Sequence, residues 1–320
     1  MRSFWGRLAL FALIAMGGQV VIGVAVSDRD FPGRAALEEN LRGPVEILHF
    51  GDSVLGSTAR GDRDRRGITP MLRELLPARS IGEVSNQAFD LEVYEAFLAR
   101  LSREPRRPAI VLVPINLRTF SPAWEMAPPY QFRSMKFRLH HGDFAADTFL
   151  GPLSALKLYS LNPVSERQYR AAPVLRGDRK SGTVGDFMIP ADRGDPERRI
   201  VGLFALNYLH PIRDDHRKLK SIGATAAGCR AAGMRPIFYV TPLDVESGTL
   251  RIGAEFRETV TRHLSILRET LNALGLPLLD LASDLDASHF DWADGASPNE
   301  HLKEAGRRHV AERLAQILSR

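Results

Sequence analysis

The chain has 320 residues, with 43 Lys and Arg against 38 Asp and Glu for a formal charge of +5, and 44% of its residues are hydrophobic. These proportions are globular and exclude a disordered or collagen-like chain, and the length suffices for one large α/β domain or two small ones with a sizeable core. Acidic residues are interspersed with arginine and no basic stripe carries interleaved aromatics, which argues against nucleic acid as a partner; the single cysteine, Cys229, excludes an intramolecular disulfide, a Cys-rich zinc site and a CxxC redox motif.

The first element is an uncharged run at 8–26, LALFALIAMGGQVVIGVAV. As a helix it would reach roughly 28 Å, close to the thickness of a hydrocarbon core, so it is expected in a membrane. Arg2 and Arg7 precede it without acidic neighbours while Asp28, Arg29 and Asp30 follow. The positive-inside bias therefore leaves the amino terminus in the cytoplasm and exports the remainder, to the periplasm if the envelope has two membranes. We read residues 1–30 as an anchor; Ala25-Val26-Ser27 offers a small-residue cleavage site for the alternative, a signal peptide.

From Val45 onward, short apolar runs alternate with helix-period segments, the pattern of a parallel βαβ sheet. Five strands are predicted, at Val45 to Phe50, Ile81 to Ser85, Ala109 to Ile115, Pro236 to Thr241 and Pro277 to Leu281. Helices are predicted at Ile68 to Leu76, Glu92 to Ser102, His216 to Ala232, Glu255 to Leu274 and Glu300 to Leu318. In the fourth of these, Phe256, Val260, Leu264, Leu267 and Leu271 recur at spacings of three and four, placing one apolar stripe against a sheet. The fold class is thus α/β, three layers α/β/α, in a domain spanning 31–320. The stretch at about 121–205, rich in proline, aromatics and charge, breaks the alternation and reads as an insertion. It leaves from the carboxyl end of the third strand, where open α/β sheets place their ligands, and is either a lid over a site or a peripheral decoration.

Three residue types at strand ends can carry chemistry. Gly51-Asp52-Ser53 follows the first strand, which would hold the Ser53 hydroxyl at the carboxyl edge of the sheet, as a nucleophile or as a helix cap. Asn116, at the end of the third strand, can donate an amide N–H to an oxyanion or make an Asx turn. His301, at the start of the last helical pattern, can take a hydroxyl proton and return it, or be an ordinary surface histidine. Trp124 and Tyr130 are candidates for stacking on a sugar ring or for packing alone. The charged run Arg60 to Arg66 reads as a solvated loop, with steering of an anionic substrate as the alternative. Asp214-Asp215-His216 and His140-His141 lack further ligands at metal-site spacing, so no metal is expected.

Taken together, the strand followed by Gly51-Asp52-Ser53, Asn86 in Ser85-Asn86-Gln87, Asn116 after the third strand, and His301-Leu302-Lys303-Glu304-Ala305-Gly306 near the carboxyl terminus resemble, in order and spacing, the four blocks of the SGNH (GDSL-like) hydrolases. The resemblance covers roughly 45–117 and 234–318. It implies a flavodoxin-like fold, no cofactor, and a serine esterase or O-acyltransferase in which Ser53 is the nucleophile and its backbone N–H an oxyanion donor, Asn116 a second donor and His301 the base. The family's aspartate three residues before the histidine is here Pro298, so Asp294 is the candidate acid, with Asp291 and Glu300 behind it; otherwise the pair works as a dyad. The family's oxyanion glycine falls by register near Leu91. With an anchor and an exported domain, the chain resembles members that add or remove acetyl groups on polysaccharides beside a membrane acyl-donor protein. The alternatives are a non-catalytic carbohydrate-binding or assembly protein on a degenerate site, and a lipase or thioesterase.

Overall fold

The structure, a computed structural model, describes residues 2–25, 31–147, 164–176, 179–189, 193–292, 295 and 297–319. Its strands are β1 (Ile47–Gly51), β2 (Ile81–Ser85), β3 (Ile110–Ile115), the antiparallel hairpin β4 (Pro173–Arg176) and β5 (Arg179–Thr183), then β6 (Arg235–Val240) and β7 (Leu278–Asp280). The five others make one sheet in the order β2-β1-β3-β6-β7, parallel at every pairing. Every residue of β1 and β3 is buried, as expected of strands covered on both faces. After β1 the chain steps to one side for β2 and then crosses to the other for β3. The two strands therefore diverge at their carboxyl ends into opposite crossovers, which opens a crevice between them.

The helices that matter for the site are α1 (Arg2–Ala25), α2 (Arg34–Arg42), α3 (Ser53–Gly56), α4 (Ile68–Leu75), α5 (Leu91–Leu101), α6 (Pro196–Tyr208), α7 (Arg217–Ala231), α8 (Ala254–Ala273) and α9 (Glu304–Leu318). Strand side chains alternate between two apolar clusters, one on each face of the sheet. On one face Leu48, Val111, Val113 and Phe238 meet Phe97 of α5, Ile222 of α7 and Leu267 of α8. On the other, Ile47, Leu112 and Tyr239 meet Met71 and Leu72 of α4 and Val310 and Leu314 of α9. The three-layer arrangement is the one that the apolar periodicity predicts. The stripe Phe256, Val260, Leu264, Leu267 and Leu271 of α8 is buried throughout.

Two expectations are modified. The last helix begins at Glu304 rather than Glu300, because the preceding residues are drawn into extended pairing: Phe290 bridges Leu302, and Lys303 N–H donates to the His289 carbonyl at 2.8 Å. At the amino terminus, α1 is helical as far as Ala25, while residues 26–30, including the end of the expected membrane run, lie outside the described residues. Side chains in α1 are described for 4–19 and 21 only, and among the described residues no helix is long and apolar enough to cross a membrane.

The segment after β3 leaves through a 3₁₀ turn, Leu117–Phe120, and continues through helices Pro122–Met126 and Arg133–His141, the β4–β5 hairpin and α6. Helix α6 ends at Tyr208, slightly beyond the expected boundary. Its end is fastened to α8 by His263, whose Nε2 donates to the His210 carbonyl at 2.7 Å. Burial pushes the His263 imidazole down to about 4. The unfolded chain takes up that proton near the ordinary histidine value, whereas the folded chain stays neutral to about 4, so stability present at neutral pH is lost as pH falls through this window. Urea unfolding at pH 7.5 and pH 4.5 should differ by about 2.5 kcal/mol from this group, and His263→Gln should remove that share of the pH dependence.

Candidate active site

The site is built at the crevice between β1 and β3. Strand β1 ends at Gly51, where a Cβ would stand 2.0 Å from the Leu55 Cδ1, so the missing side chain makes room for Leu55 of α3 against the strand end. Asp52 then caps α3, its Oδ1 accepting from Val54 N–H at 2.8 Å. Ser53 follows as the first helical residue, half-buried, with its hydroxyl donating to His301 Nε2 at 3.0 Å. The sequence-predicted nucleophile and base are thus brought within hydrogen-bond reach across 248 positions of chain.

His301 sits on the extended segment ahead of α9. Its N–H donates to Asn299 Oδ1 at 2.8 Å and its carbonyl accepts from Asp291 N–H at 2.9 Å, which fixes the backbone on both sides of the ring. Burial lowers the imidazole pKa, and the Arg118 guanidinium lowers it further, while Glu300 and Asp291 act in the opposite sense. The ring is therefore neutral near pH 7 and able to accept a proton.

Of the candidate acids, Asp294 lies outside the described residues. Pro298 lines the cavity in front of Ser53. Glu300 is almost fully buried and turned away from solvent, 3.0 Å from the Arg118 guanidinium and bonded by the Tyr208 hydroxyl. Asn116 caps the 3₁₀ turn after β3: its Oδ1 accepts from Arg118 N–H at 3.1 Å and its Nδ2 donates to Asp52 Oδ2 at 2.9 Å. The Asp52 carboxylate therefore joins the ends of β1 and β3 directly.

Leu91 opens α5 in the core, 1% exposed, beneath the Asp90 cap, and neither Leu91 nor Asn116 is among the residues lining the cavity. The residue at the cavity wall is Ala88, held at φ +62° in the left-handed region that favours glycine. The sheet register explains the shift. Ser85 pairs with Gly51 and Asn86 N–H donates to the Gly51 carbonyl, so the turn at 86–89 is what lies beside Ser53.

The cavity holds about 450 Å³ and is walled on one side by Ser53, His301 and Ala88 and on the other by the inserted segment, including Trp124 and Tyr130. Residues of the insertion thus line the cavity beside Ser53. The Trp124 ring lies 4.6 Å from that of Tyr130 and under the Arg118 guanidinium at 4.4 Å, so stacking positions on it are already taken by protein. Arg118, Tyr208 and Ala88 escape sequence reasoning. The one available signal is an arginine within the apolar run Ile115 to Phe120, where only a paired charge can be buried. Among the described residues, no group of three or more His, Cys, Asp or Glu is arranged to hold a metal ion.

The charged run after Ser53 is bound to α9. Glu304 Oε2 accepts from the N–H groups of Arg63 and Asp64, at 3.0 and 2.9 Å. Arg307, with no exposed surface, donates to Asp62 Oδ2 at 2.7 Å and to the carbonyls of Asp64, Arg66 and Leu302. The loop following the nucleophile and the helix following the base are one clamped unit.

The chain has a three-layer α/β/α fold with the serine after the first strand and the histidine ahead of the last helix, the arrangement that its sequence resemblance to the SGNH/GDSL-like hydrolases leads one to expect. No family model matches it, and no curated protein matches it. Solved structures similar to it include a catalytic mutant of an acetylxylan esterase from Geobacillus stearothermophilus, 12% identical over 84% of this chain and 92% of that one with a TM-score of 0.39. A GDSL-like lipase from Bacteroides thetaiotaomicron is 9% identical over 89% of this chain and 95% of that one, with a TM-score of 0.38. Overlaps at this level carry no weight for activity, which Ser53 and His301 must carry themselves.

Arg307→Met should cost about 3–5 kcal/mol in urea unfolding, because it strands the Asp62 carboxylate and three carbonyls behind a buried apolar chain.

Proposed function

We propose that the protein is an extracytoplasmic serine-dependent acyl-ester hydrolase or O-acyltransferase acting on acylated, notably acetylated, carbohydrate. The observation that carries this reading is the 3.0 Å contact between Ser53 Oγ and His301 Nε2, at the crevice of a parallel sheet and opening on the cavity. As His301 Nε2 accepts its proton, Ser53 Oγ attacks the ester carbonyl carbon. The negative charge that develops on the carbonyl oxygen is taken by the backbone N–H groups of Ser53 and Ala88, which line the cavity, and by Asn116 Nδ2, which also donates to Asp52. Collapse breaks the ester C–O bond, and the leaving alkoxide receives the proton from His301. Water or an acceptor hydroxyl, deprotonated by the same imidazole, then attacks the acyl-Ser53 carbonyl and releases the acyl group. How well the inserted wall excludes water sets the balance between hydrolysis and transfer.

A carbohydrate substrate is supported by the lining, where Gln87, Asn207 and Asn299 alternate with Tyr130 and Tyr169. The uncharged run at 8–26 supports a membrane tether with the domain on the outer side, beside a membrane acyl-donor protein in the transferase case.

A fluorophosphonate probe should label the full chain in detergent, and both Ser53→Ala and His301→Ala should abolish labelling and lower hydrolysis of an acetyl ester by at least about 10³-fold. Absence of labelling in the folded wild type would overturn the catalytic reading. In fractionated cells the full chain should sediment with membranes and be open to external protease, whereas a chain lacking residues 1–27 should not sediment.

A further inference from the structure

Resting on the Ser53–His301 reading above, we infer that Glu300, gripped by Arg118 and Tyr208, is a positioning residue for His301 and supplies the anchoring that Pro298 cannot.

The argument begins with connectivity. Asp52 caps the helix that carries Ser53 and accepts from Asn116 Nδ2; Asn116 Oδ1 accepts from Arg118 N–H; the Arg118 guanidinium pairs with Glu300 at 3.0 Å; and Glu300 is joined by one peptide bond to His301. His301 Nε2 closes the circuit on Ser53 Oγ. The base and the nucleophile are therefore linked twice, once directly and once through this ring. Glu300 and Arg118 are 1% and 8% exposed, so the circuit cannot be exchanged cheaply for water. Tyr208, at the end of α6, adds its hydroxyl to Glu300 and brings the inserted wall into the same network.

A proline at position 298 offers no side-chain acceptor to an imidazole. Glu300 acts differently: its carboxylate is held by Arg118 and Tyr208, so the segment that carries His301 cannot twist or slide without breaking a buried ion pair. The charged groups that act on His301 are Arg118 from the turn after β3, and Glu300 and Asp291 from its own loop; Asp52 bears on Arg118 in turn. Burial disfavours the imidazolium most, Arg118 disfavours it further and Glu300 favours it, so the pair also bears on the pH at which the base becomes active.

The test uses the full chain in detergent and three variants. Tyr208→Phe should lower kcat about tenfold with KM unchanged, since alignment is lost without a change of charge. Glu300→Gln should lower kcat similarly and move the acid limb of the kcat/KM profile about one unit to lower pH, because Arg118 is then less compensated. Arg118→Gln should move that limb in the opposite direction. NMR titration of the His301 imidazole in the same proteins reads the opposed shifts without reference to turnover, so loss of the catalytic reading and loss of this one are separable. Where Arg118→Gln fails to fold, the other two variants carry the test. Folded Glu300→Gln and Tyr208→Phe proteins with wild-type kcat and an unmoved His301 titration would overturn the inference.

Discussion

The structure turns on the hydrogen bond from Asn116 Nδ2 to the buried carboxylate of Asp52. Two parallel strands that diverge into opposite crossovers stop pairing with each other before their carboxyl ends: β1 and β3 pair only as far as His49 and Leu112, and side chains bridge the gap that opens beyond. Asp52 does this for both: one oxygen caps the helix after β1, the other receives the amide that caps the turn after β3. Burial favours its protonated form, and the Arg118 charge with the Val54 and Asn116 donors works against that. The burial of Arg118 is offset chiefly by Glu300, with which it pairs, and to a lesser degree by Asp52.

Most of the fold was legible because a parallel sheet writes itself as near-continuous apolar runs: all five strands fall where Val, Ile, Leu and Phe cluster, and only their ends move by one or two residues. Helix α8 was legible for a different reason, its uninterrupted three-and-four spacing. The start of α9 was not, since Glu300 to Lys303 has ordinary helical character and only the bridge between Phe290 and Leu302, a non-local pairing, pulls it straight.

At the site, Ser53 and His301 were legible from motif and position. The wall that faces them was not. Ala88 was missed because an alanine gives no sign of a left-handed backbone; the conformation is imposed by the register of β2 against β1. Glu300 was weighed as a possible acid beside its histidine, yet its ion pair depends on Arg118, 182 positions earlier, and on Tyr208 from the insertion. A buried network of this kind has no periodicity to betray it, because each member's partner lies on another crossover.

The clamp between the loop at 59–66 and α9 also bears on the order in which the molecule is made. Synthesis delivers Ser53 well before the Arg307 side chain. Until α9 has left the ribosome, Asp62 lacks the guanidinium it pairs with, and the Arg63 and Asp64 amides lack the Glu304 carboxylate. The sheet can collapse strand by strand, but the nucleophile's loop gains its native support only when the last helix docks. Assembly of the site is thereby tied to the synthesis of α9: a product interrupted before it holds the serine without the clamp.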